Sequence, residues 1–171
     1  MKLKVVFFII TFMIFNNLQS QNTVKSAFLL KWENSKNYLL KIAESMPEEY
    51  YSFKPTERQM NFEDQLLHIR QNMLWLSTTY FTKNNKEKPS KINPKTKQET
   101  INALTTSFNE VSKIISTISE KDLTIEVDFF AGPKSKLQIL NLLQDHVTHH
   151  RGQLIVYLNL NNIEPPKFSG W

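Results

Sequence analysis

Cysteine is absent from this 171-residue chain, and glycine occurs only 3 times. The first absence excludes disulfides, thiolate metal sites, a cysteine nucleophile and a lipid-modified cysteine anchor. The second leaves no glycine-rich loop to cradle a phosphate, and neither a nucleophile elbow nor an H-E-x-x-H motif is present. Long hydrophobic runs are missing as well. The longest, residues 5–15, falls short of the roughly 20 apolar residues that a spanning helix needs.

That run sits between Lys2 and Lys4 on one side and the polar stretch 16–20 on the other. Basic, apolar and polar segments in this order predict a secretory signal peptide, with Ser20 as a small residue at the cleavage point. The expected organisation is a signal peptide over residues 1–20 and one domain over residues 21–171, exported to the periplasm or the exterior. No membrane span remains after cleavage. Setting aside Lys2 and Lys4 from the 21 basic residues leaves 19 against 16 acidic ones, about +3. Most of that excess falls in residues 83–97 without interleaved aromatics, so nucleic acid is not an expected partner.

Few turns and long periodic stretches point to an all-α protein, and four helices can be read. The first covers about residues 23–46, with Val24, Phe28, Trp32, Leu39 and Ile42 near a helical period, and Pro47 stops it. The second starts at Asn61, a good N-cap with Glu63 and Asp64 in the first turn, and reaches about Phe81. Residues 83–95 read as a crossover that spans roughly 40 Å when extended. The third opens on Thr96 and Glu99 as a capping box. Its seam of Ile101, Leu104, Phe108, Val111, Ile115 and Ile118 predicts a bundle helix. The fourth follows Gly132-Pro133, with Ser135 and Gln138 as a second capping box, and runs to about Asn161. Residues 123–129 alternate apolar and polar, which predicts a short extended segment too isolated to make a sheet.

All four histidines fall in two of these helices. At about 100° per residue, His146 and His150 lie within roughly 40° of each other, on the stripe of Ile139, Leu143, Gln153 and Tyr157. Two inward imidazoles one turn apart suit a divalent metal ion, against the alternative of satisfied core or surface histidines. His149 lies at the flank of the stripe, a partner to the site or a substitute ligand. Gly152, in mid-helix, is expected to mark a close helix approach. His68 shares its stripe with Asn61, Asp64, Gln65, Asn72 and Trp75. That face is either solvated or the wall of a cavity in which Asn72 contacts the site or a substrate. Asp64 or Asp145 could complete a two-histidine, one-carboxylate site, although Asp145 points about 100° away from His146.

At these residues the chain resembles the DinB/YfiT-like family of metal-binding four-helix bundles. The likeness rests on Leu66-Leu-His-Ile69 and on His146-Val-Thr-His-His-Arg-Gly-Gln-Leu154, supported by Pro55 and by the ending from Tyr157-Leu158 to Pro166. It implies an up-down-down-up bundle with the long crossover between helices 2 and 3, and a metal triad of His68, His146 and His150. Asn161 and Asn162 stand where family members often carry glycine, and asparagine tolerates the left-handed cap. The resemblance further implies a zinc, nickel, iron or manganese ion and a small-molecule substrate, a thiol among the candidates. Two kinds of reaction follow, a metal-dependent thiol S-transfer or a hydrolysis, with a non-catalytic metal-binding or stress-response module as the alternative. Homodimers formed through helix faces are also implied.

Overall fold

The structure is a computed structural model describing residues 23–83 and 89–170. The expected signal peptide, residues 1–20, and residues 84–88 of the crossover lie outside the described residues. Four helices form the domain: α1 (Val24–Ser45), α2 (Phe62–Phe81), α3 (Lys97–Thr117) and α4 (Lys136–Leu160). Each starts where its side chains stop the backbone N–H groups from being orphaned. Thr23, Asn61, Thr96 and Ser135 accept from Ser26, Asp64, Glu99 and Gln138.

The capping box at Ser135 and Gln138 is complete in both directions. The one expected at Thr96 is only half formed, because the Glu99 carboxylate accepts from Lys95 N–H at 2.7 Å. At the other end of α4, Asn162 adopts φ 57°. Ile163 N–H donates to the Leu158 carbonyl at 3.0 Å and Asn162 N–H to Asn159 at 3.1 Å. This is a Schellman ending built on asparagine.

Helix α1 packs on α3 and α4, and α2 packs on the same two, which puts α1 opposite α2 across the bundle. Lys25, in the first turn of α1, donates to the Ile118 carbonyl at 2.8 Å. Lys97, first in α3, donates to Met46 at 2.7 Å. Each lysine thus closes the C-terminal end of the other helix, which fixes α1 and α3 as antiparallel. Glu63 and Thr100 meet near the starts of α2 and α3, so these two run parallel. Gln144 reaches Ser35 and Arg151 stacks on Tyr38, so α1 and α4 are also parallel. The arrangement is up-down-down-up, as expected.

Residues 123–129 depart from a simple extended segment. A 3-10 turn, Glu120–Thr124, takes up their beginning, capped by Ser119 and Asp122. Beyond it β1 (Glu126–Val127) pairs antiparallel with β2 (Lys134–Ser135). The partner strand is the segment leading into α4, which sequence spacing did not reveal because it is two residues long. Gly132, at φ 86°, turns the chain between them. Among the described residues, no helix is long and apolar enough to cross a membrane.

Candidate metal centre

The site forms where α2 and α4 cross with opposite direction. His68 projects from α2, and His146 and His150 project one turn apart from α4. Their rings converge, with centroids 4.5 to 4.9 Å apart. One nitrogen from each ring lies within 4.8 Å of the other two. The Nε2 atoms of His68 and His146 are 3.1 Å apart.

Amide side chains orient the most buried ring. His150, 8% exposed, directs Nδ1 at the Gln65 Oε1 atom at 2.5 Å and at Gln153 Oε1 at 3.2 Å. Both acceptors are carbonyl oxygens, so Nδ1 carries the proton and the lone pair belongs to Nε2. Gln65 is itself held, its amide donating to the Tyr157 hydroxyl at 3.3 Å, while that hydroxyl donates to the Met60 carbonyl at 2.8 Å. The Gln153 amide donates to His149 Nε2 at 3.1 Å. His149 is exposed and outside the cluster; it supports the site through Gln153 and supplies no nitrogen to it. His146 Nδ1 is buried with no hydrogen-bond partner, leaving Nε2 as that ring's engaged nitrogen.

Burial keeps all three rings neutral. It is the largest cause holding His146 at about 3, followed by the neighbouring His150, His68 and His149 rings. His150 is lowered to about 4 by burial first and then by His68 and His149, with Gln153 pulling slightly the other way. His68 is lowered by burial alone. Neutral imidazole is the ligating form, so protons compete weakly for this site. Three converging imidazoles, with no carboxylate among the described residues joining them, suit zinc, nickel or iron better than magnesium or calcium. The residues therefore fit a divalent transition-metal ion. Asp64 and Asp145 are both exposed and stand outside the cluster, which removes the carboxylate alternative.

His68 is the ring that faces outward as well as inward. It lines a cleft of 280 Å³ with Gln71, Asn72 and Trp75, and a neighbouring one of 340 Å³ with Arg70 and Lys91. Part of the α2 stripe is thus the wall of a cavity, formed by His68, Asn72 and Trp75, while Gln65 on it is buried inside the bundle at 2% exposed. Asn72 does line the cleft, but its Oδ1 is buried and unpartnered. Tyr157 is buried and acts behind the triad through Gln65. Gly152 does not mark a close approach. It is exposed, and a Cβ added there would meet nothing within 4 Å.

The residue that spacing missed is Gln65. It stands three positions before His68, as Gln153 stands three after His150. A glutamine one turn from a histidine on an inward face is the one available signal, since only a neighbouring helix shows which ring it serves.

A model of the DinB family matches residues 17–170. The uncharacterized protein YjoA of Bacillus subtilis is 26% identical over 141 residues, covering 80% of this chain and 88% of that protein. The crystal structure of that DinB-like protein superposes with a TM-score of 0.68 at 20% identity, covering 83% of this chain and 96% of the other. A DinB-like protein from Bacillus cereus gives a TM-score of 0.69 at 22% identity, covering 87% and 99%. These two superpositions show a shared fold.

Proposed function

The chain belongs to the DinB family, and on that premise we propose that it is a metal-dependent enzyme, a thiol S-transferase or a hydrolase, with a divalent ion held by His68, His146 and His150. The observation that carries this reading is the position of His68. One ring belongs both to the triad and to the wall of an open cleft, so a small molecule in that cleft lies beside the metal site. Three protein ligands leave further coordination positions open, the usual arrangement of a reactive site.

When bound, zinc, nickel, iron or manganese would supply Lewis acidity, lowering the pKa of a thiol or water that ligates it. The protein's own part is to hold three neutral rings in register. Gln65 and Gln153 fix the His150 tautomer, and the buried surroundings raise the strength of every charge interaction inside. The attacking group comes from outside, because the chain has no cysteine. Among the described residues no carboxylate joins the cluster to act as a general base. That favours an incoming thiol, which with a pKa of about 8.5 needs little help to ionise. A non-catalytic metal module is the second reading, favoured by the burial of His150 and of the His146 Nδ1 atom. Export is part of the proposal, supported by the order of residue types over residues 1–20.

The experiment uses the protein without a histidine tag. Bound metal is measured in wild type and in His150→Ala, with near one ion per chain expected in the first and near none in the second. Equal metal in both overturns the triad. Turnover of a thiol with an electrophile is then compared in stripped and reloaded protein, and equal rates reject the enzyme reading.

A further inference from the structure

We propose that the cleft beside His68 takes a small molecule with an anionic group at one end and a flat aromatic ring at the other. Arg70 and Lys91 would hold the anion, and Trp75 and Phe130 would stack on the ring. This names a substrate class for the site described above, and it rests on the reading of that cleft as the approach to the triad.

The two clefts share His68 and Gln71 and so form one surface along α2. Arg70 and Lys91 line one part, and Trp75 lines the other. At 1.5 Å per residue, Arg70 and Trp75 stand roughly 7.5 Å apart along the helix axis. Around that axis they are about 140° apart, so a ligand that reaches both lies across His68 and Gln71, which line both clefts.

The cationic end has donors to spare. Arg70 makes one hydrogen bond, from Nη1 to the Ser90 carbonyl at 3.4 Å, and neither it nor Lys91 forms an ion pair among the described residues. Among the described residues Asp64 is the single carboxylate on the same wall, against the two cations Arg70 and Lys91. Glu110 acts on Arg70 from α3 without pairing. A guanidinium with unused N–H groups beside a cleft matches the two oxygens of a carboxylate or the edge of a phosphate.

The other end is aromatic and open. Phe130, on the turn between β1 and β2, is 82% exposed. Its ring lies 4.3 Å from Phe129 and 6.4 Å from Trp75, the latter nearly parallel at 29°. The exposed ring thus lies beside Trp75, next to the cleft and outside its lining, and Phe129 packs against both. Flat rings gain by offset stacking on such a platform.

The test measures binding of naphthalene-2-carboxylate, of the uncharged naphthalene-2-carboxamide and of acetate by calorimetry, on metal-loaded and metal-stripped protein. The carboxylate is expected to bind about tenfold tighter than the carboxamide, and acetate more weakly than either. Arg70→Gln is expected to erase the charge preference, with Lys91→Gln, on an exposed side chain, reducing it less. Phe130→Ala should weaken both naphthalenes about threefold to tenfold. Metal content is measured in every variant and should not change. Equal binding of carboxylate and carboxamide by the wild type overturns the proposal, as does a preference retained in Arg70→Gln. A preference present only in loaded protein would place the anion on the metal, overturning the role of Arg70 while supporting the triad. A chain that binds no metal but keeps the preference supports the charge selectivity and sinks the metal reading.

Discussion

Between α1 and α3 the interior is apolar and aromatic. Trp32 packs with Phe28 and Phe108, and its indole N–H donates to the Phe108 carbonyl at 3.2 Å. Between α2 and α4 the same kind of interface holds Gln65, Tyr157 and three histidines. The two pairs are both antiparallel, yet one gains its stability from packing and the other holds a set of neutral nitrogens, with His68 at the wall of an open cleft. Buried polar groups cost free energy unless partnered, and the second interface partners His150 through Gln65 and Tyr157 to Met60 while leaving His146 Nδ1 without a hydrogen bond. What the contrast teaches is a division of labour: α1 and α3 carry the fold so that α2 and α4 can carry a site.

Removing the packing anchor should give the largest effect. Trp32→Ala is expected to cost about 3–5 kcal/mol in denaturant unfolding, while the fraction that stays folded binds metal as before. Loss of metal binding in that folded fraction would break the division. Gln65→Met keeps the bulk but removes the nearer of the two acceptors that set the His150 tautomer. Metal affinity should fall about 10–100-fold in competition with a chelator, and the triad alone would explain the site if it did not.

Acidification acts on the same side of the bundle. His146 and His150 are lowered in the folded protein to about 3 and about 4, so the unfolded chain binds more protons once pH drops below about 6.5. Metal-free protein should therefore hold its stability above about 6.5 and lose it progressively as pH falls toward those values. His146→Ala should flatten that slope in urea titrations at several pH values. The smallest effect is expected at Gly152, which faces open space in mid-helix. Gly152→Ala should stabilise the protein by about 0.5–1 kcal/mol with metal content unchanged, and destabilisation would indicate a contact there in solution.

The helices were legible because their signals are local. An N-cap side chain bonds a backbone two or three residues away, so Asn61 and Ser135 announce helix starts without reference to the rest of the chain. The α3 seam could be read for a similar reason, since every third or fourth residue faces one way on any helix. The half-formed box at Thr96 was less legible, because Glu99 had a choice of donors and took Lys95. Gly152 misled because a missing side chain is equally consistent with a crowded helix contact and with none. His68 stayed ambiguous on periodicity, because a polar stripe looks the same whether it meets solvent or another polar stripe.

By itself the sequence determined four helices, their starts, an apolar seam for α3 and a pair of inward imidazoles on α4. Each follows from the fixed rise and turn of a helix. Only the tertiary structure decided that α2 crosses α4 with His68 facing that pair, that Gln65 fixes one ring from the neighbouring helix, and that a cleft opens on the outer side. Those facts depend on the relative position of residues some eighty positions apart in the chain, which local helix geometry does not specify.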